Sequence, residues 1–148
     1  MSTAKTFEEL IVWQKAHTCV LMVYRLTAGF PREEIYGLTA QLRRASLSIP
    51  ANIAEGFKRR GRLDKARFLN IAQGSADEMR YFLRVGQDLE YGQDEALLRM
   101  LEEVSKLLEA YRRSIVLSLP AAVRPVFFLL LSLWHFLDSA SQIPTSTF

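Results

Sequence analysis

The chain has 148 residues, 49% hydrophobic and 24% charged, with a net charge of +3. That length supports one domain with a real core but not two, and 7 glycines and 5 prolines exclude a fibrous or disordered profile. Cys19 is the only cysteine, which excludes an intrachain disulfide; the N-terminus MSTAKTFEEL lacks an apolar signal core, and both point to a cytoplasmic protein.

The first predicted helix carries Val12, Ala16, Cys19, Val23 and Leu26 at alternating steps of three and four. Leu10, Trp13, Val20, Leu21 and Tyr24 add a second apolar flank, so burial on two sides is expected, by the bundle and by another subunit. Gly29 and Pro31 stop it. The second helix is predicted from about Glu33 to Arg60, with Leu38, Leu42, Ala45, Ile49, Ile53 and Phe57 in one stripe. That stripe keeps its phase through Pro50, which favours one bent helix over two helices with Ser48 as a cap. Ser46 and Ser48 are placed to relieve a carbonyl that Pro50 leaves unbonded, while Gly56 and Gly61 are expected to loosen the end.

The third helix, about Leu63 to Glu90, aligns Phe68, Ala72, Ser75, Met79, Phe82, Gly86 and Leu89, with small Ala72, Gly74, Ser75 and Ala76 inviting a close neighbour. The fourth, about Asp94 to Leu119, is the most regular, with Leu97, Leu101, Val104, Leu108, Tyr111 and Ile115. Asp94 and Glu95 open it and Arg112 and Arg113 close it, as the helix dipole favours. The fold class that follows is all-α: an antiparallel up-down four-helix bundle over residues 1–119 with a Pro-kinked second helix. Residues 120–148 form an extension whose apolar run, VFFLLLSLWHFL at 126–137, falls short of the roughly 20 residues a membrane span needs. A short helix docked on the bundle or buried in an oligomer is expected there.

Catalytic chemistry is not legible. No phosphate-binding loop, dinucleotide fingerprint or nucleophile elbow occurs. His17 and His135 have no partners at metal-ligand spacing and read as packing or surface residues; Cys19 reads as a small buried hydrophobe. Glu55 reads as one half of an ion pair with a nearby arginine, not as a general acid. No enzyme, cofactor or metal is expected.

Charge is distributed unevenly. Residues 43–84 hold ten lysines and arginines against four acids, a net of +6, whereas residues 1–42 are balanced. Lys58, Arg59, Arg60, Arg62, Lys65 and Arg67 crowd the junction of the second and third helices, with Arg43 and Arg44 upstream and Arg80 and Arg84 downstream. Such clustering is the electrostatic footprint of a phosphate-binding surface, or equally a solvated turn that complements the acidic fourth helix. Phe57 and Phe68, the aromatics among these charges, fall on core stripes, which argues for backbone contacts without base stacking.

Three stretches in order, FEELIVWQKA at 7–16, FPREEIYGLTAQLRRASLSIPANIAEG at 30–56 and RFLNIAQGSADEM at 67–79, resemble the bacterial four-helix-bundle proteins encoded in intervening sequences of 23S ribosomal RNA genes. Arg43-Arg44, Ser48-Ile49-Pro50, Asn52 and Ala54-Glu55-Gly56 match that family's signature. The resemblance implies an up-down bundle assembling into a ring, typically a pentamer. The accessory proteins of diversity-generating retroelements are similar in fold, and in them a basic surface contacts RNA and a reverse transcriptase. Two functions follow as expectations: a non-enzymatic homo-oligomer binding nucleic acid, structured RNA above all, through Arg43, Arg44 and Lys58–Arg67, or an adaptor for a protein such as a reverse transcriptase.

Overall fold

Four helices occupy residues 4–118, which are those described by the structure, a computed structural model. They are α1 (Ile11–Thr27), α2 (Leu38–Lys58), α3 (Arg62–Asp88) and α4 (Glu95–Leu117), and no strand occurs among the described residues. Short 3-10 turns at Phe7–Glu9 and Arg32–Ile35 precede α1 and α2. The chain is therefore all-α. His135, the apolar run at 126–137 and the expected boundary at residue 120 lie outside the described residues.

Helix ends follow local chemistry. The Asp94 carboxylate accepts the Leu97 N–H at 3.0 Å and opens α4, as its sequence suggests. In α2 the expected start at Glu33 is wrong by one turn. Residues 32–35 wind as a 3-10 turn, and the Glu34 carboxylate accepts the Leu38 N–H at 2.7 Å, so the helix begins only there.

The helices pack in a ring, each against the two adjacent in the order α1, α2, α3, α4. Along α2 and α3, Gly56 approaches Phe68, Ser48 bonds Ser75 and Leu38 approaches Gly86, so residue numbers fall on one helix as they rise on the other. Arg80–Glu102 and Arg62–Ser118 contacts order α3 and α4 in the same way. Pro50 is buried within one uninterrupted α2, which removes the two-helix alternative. The serines beside it are engaged otherwise than expected. Ser46 Oγ donates to the Arg43 carbonyl at 2.8 Å, and it is Asn52 Nδ2 that reaches the Ser48 carbonyl at 2.8 Å.

The core contains the stripes of α1 (Val12, Ala16, Cys19, Val23), α2 (Leu42, Ala45, Ile49, Ile53) and α4 (Leu97, Leu101, Val104, Leu108), with α3 supplying Leu69, Ala72, Ala76, Met79 and Leu83. Each fully buried leucine contributes about 2 kcal/mol of transfer free energy. Burial of Cys19 pushes its thiol up to about 12.

Three expectations fail at the α2–α3 contact. Phe57 and Phe68 are half-buried, and the core positions nearest them belong to Gly56 and Leu69. Leu83 is buried where Phe82 was expected, and Leu89 is 48% exposed. Gly56 and Phe68 meet closely: a Cβ on Gly56 would stand 2.9 Å from Phe68 Cβ, so the Phe68 side chain packs on the α2 backbone at the edge of the core. Gly56 thus tightens the bundle instead of loosening α2. Gly74 does the reverse of what its small size suggests, since a Cβ there would meet only open space. On α1, Val20 is buried but Leu21 and Tyr24 stay exposed within the chain.

Candidate nucleic-acid interface

The α2–α3 connection is only Arg59–Gly61 long, so basic residues on both helix ends meet at one end of the bundle. Residues 58–67 carry six cations and one acid, Asp64. Lys58, Arg60, Arg62 and Arg67 are exposed, and Lys65 is partly so. Arg59 is the compensated member: it pairs with Glu55, the expected structural ion pair, and lies 3.6 Å from Asp64. Arg62 donates from Nη1 to the Ser118 carbonyl at 2.5 Å, completing the C-terminus of α4. Among the described residues, Lys58, Arg60, Lys65 and Arg67 have no carboxylate within ion-pair distance.

Rings anchor three of these cations. Arg59 Cζ lies 4.7 Å and Arg67 Cζ 5.6 Å from the Phe68 centroid, and Lys65 Nζ lies 5.6 Å from that of Phe57. The aromatic rings that the sequence assigned to the core are thus part of the basic surface.

The eight basic residues singled out from sequence do not form one site. Arg43 and Arg44 lie on α2 some fifteen residues before Lys58, which is about 20 Å along a helix axis. Arg43 is committed locally, with Nε donating to Thr27 Oγ1 at 2.8 Å and Cζ 4.6 Å from the Tyr24 centroid. Arg80 and Arg84 drop out for another reason. Arg80 bonds Asp77 at 2.8 Å and Glu102 at 3.2 Å, and Arg84 lies 3.0 Å from Asp88. The Arg62–Ser118 bond places the end of α4, the helix that carries exposed Arg113, beside the junction. Nothing in the linear sequence marks that proximity.

The opposite end has the reverse charge. Residues 28–37 and 88–95 together carry six acids and one arginine. Here Tyr91 Oη donates to Glu34 Oε1 at 3.3 Å, the Phe30 ring lies over Gly86, and the Tyr91 ring lies 5.6 Å from that of Phe30. Burial and the neighbouring Glu34 carboxylate raise the Tyr91 hydroxyl above the ordinary tyrosine range. The basic end is not uniform, because the N-terminal turn adds Glu8 and Glu9 on the α1 side, where Glu9 accepts the Lys5 N–H at 2.9 Å.

No His, Cys, Asp and Glu grouping able to hold a metal ion occurs among the described residues, and no helix among them is long and apolar enough to cross a membrane. His17 is exposed and stacks on Trp13 with centroids 5.1 Å apart.

An all-α four-helix bundle with one basic end and one acidic end is the class that fold and surface define. The model of the 23S rRNA-intervening sequence protein family matches residues 8–110, and the chain belongs to that family. Among solved structures it is similar to a protein of unknown function from the S23 ribosomal protein family of Bacteroides thetaiotaomicron. The two are 25% identical with a TM-score of 0.62, over 70% of this chain and 96% of that one. No functionally curated protein matches it.

Proposed function

We propose that this protein is a non-enzymatic, homo-oligomeric cytoplasmic bundle that binds nucleic acid, structured RNA above all, through its basic end with weak sequence preference. The observation that carries this reading is the gathering of uncompensated cations at one end: Lys58, Arg60, Lys65 and Arg67 have no carboxylate partner, while Arg80 and Arg84 farther along α3 do. Exposed cations held close together neutralise phosphates and release condensed counterions, a sequence-independent source of affinity. Several copies in a ring, a pentamer by analogy with the family, would multiply a modest contact into avidity.

Self-association has its own support. Leu21 and Tyr24 on α1 and Leu47 on α2 are 47%, 41% and 47% exposed, and Arg43 over Tyr24 shows that the two helices meet there. The same strip favours a second reading, in which it recruits a protein partner such as a reverse transcriptase and the basic end serves solubility alone.

A salt titration separates the two. With the oligomeric mass fixed by light scattering, binding to RNA and DNA hairpins is expected to weaken steeply with salt, with a log–log slope of about −0.7 to −0.9 per phosphate neutralised. Absence of binding at low salt overturns the nucleic-acid reading and leaves the adaptor.

A further inference from the structure

The positions of Phe57 and Phe68 say more about the ligand than charge does. Both rings are half-buried at the basic end, and Phe68 packs beside Gly56, where a Cβ would stand 2.9 Å from Phe68 Cβ. The cations over Phe68 are not equivalent. Arg59 is committed to Glu55 and Asp64, whereas Arg67 is exposed and without an ion-pair partner among the described residues. A guanidinium is planar and weakly hydrated on its faces, so one lying over a ring still presents a flat outer face. Lys65 over Phe57 has no such plane and offers charge only.

We propose that Arg67, supported by Phe68, is a stacking platform for an unpaired base, with Lys58 and Arg60 taking the adjoining phosphates. The ligand is then a nucleic-acid segment with unpaired nucleotides (a loop, a bulge or a single-stranded end) and not an uninterrupted duplex. This rests on the reading of the basic end as a nucleic-acid interface. In a duplex both faces of every internal base are already stacked, so a platform gains nothing there without first unstacking a step. In a loop the base face is free. A side chain already positioned by its ring also loses little freedom when the base arrives.

The test compares a hairpin carrying an unpaired loop with a blunt duplex of the same number of phosphates, each made as RNA and as DNA, on the full chain at one salt concentration. The loop ligand is expected to bind about tenfold more tightly. Arg67→Lys keeps the charge but not the plane, and should abolish that preference while leaving the salt slope unchanged. Phe68→Leu, which keeps an apolar side chain beside Gly56, should have the same effect. A 2-aminopurine in the loop should change fluorescence on binding the parent protein and not Arg67→Lys. A preference seen in only one sugar series still supports the proposal and identifies the nucleic acid. Equal binding of hairpin and duplex with a steep salt slope, or a preference that survives Arg67→Lys, overturns the stacking platform alone. No binding to any ligand at low salt overturns both this and the reading on which it rests.

Discussion

The two ends of the bundle are built from the same materials and put them to different use. At the acidic end the polar groups close the structure: Glu34 caps α2 and receives the Tyr91 hydroxyl, Asp94 caps α4, and Phe30, with Tyr91 beside it, covers Gly86. At the basic end Arg59 and Arg62 do comparable work on Glu55 and on the last carbonyl of α4, but Lys58 and Arg60 make no such contact, and Lys65 and Arg67 have only the rings of Phe57 and Phe68 beside them. Like charges crowded in a short turn repel one another, and Glu55 and Asp64 form ion pairs there with Arg59 alone. A cluster that forms no ion pair within the fold is the surface on which the proposed binding of an external anion rests.

The sharpest way to break the comparison is to reverse charge at each end in turn. Lys58→Glu with Arg60→Glu should weaken nucleic-acid binding about a hundredfold or more at low salt and flatten its salt dependence. Glu33→Lys with Glu90→Lys at the other end should leave affinity within a few-fold. Equal losses from both pairs, measured by fluorescence anisotropy, would mean that overall net charge governs binding and that the basic end is nothing special.

Glycines sharpen the comparison on stability. Gly56→Ala places a Cβ 2.9 Å from Phe68 Cβ, an atom anchored to the backbone, so the helices must separate, at a cost of about 1–3 kcal/mol. Gly86→Ala meets the far edge of the Phe30 ring at 3.2 Å, which can tilt, so strain and the gain in helix propensity should nearly cancel. Gly74→Ala faces open space and should stabilise the bundle by up to about 1 kcal/mol. Chemical denaturation of the three variants gives the ordering directly, and a stabilised Gly56→Ala would refute the close α2–α3 approach.

A pH-dependent effect belongs to the mid-bundle, where neither end acts. The Cys19 thiol is held up to about 12 by burial, so the folded state keeps a proton that the unfolded chain releases near the ordinary thiol value. Its contribution is therefore fully present below that value and declines as pH rises above it, by at most about 1.4 kcal/mol per unit. Relative to Cys19→Ala, the parent protein should lose stability between pH 9 and 10, with no difference in slope between pH 6 and 8. Parallel curves throughout would mean that the thiol is not buried.

Hydrophobic period was enough to count the helices, to find the α1, α2 and α4 stripes, to place α4 after Asp94 and to carry α2 through Pro50. Those features depend on neighbours three and four residues apart, which a linear chain displays. The α3 stripe was misplaced by one residue at both Phe68 and Phe82, because periodicity weighs hydrophobicity and is blind to the space between two helices. The same blindness hid Phe57 and Phe68 from the basic surface and made Gly56 look like a weak point.

Of the candidate site, the sequence by itself determined the charge excess and the crowding of Lys58–Arg67, since a three-residue connection leaves those side chains nowhere else to go. Which cations find partners on another helix could not be read there. The fold paired Arg80 with Glu102, turned Arg43 onto Tyr24 and Thr27, brought the end of α4 to Arg62, and set the rings of Phe57 and Phe68 beside Arg59, Lys65 and Arg67. Charge is a property of the residue and can be read in one dimension. Whether that charge is compensated across the bundle depends on Coulomb interactions that fall off over a few ångströms between segments far apart in the chain, and the packing of the helices sets those distances.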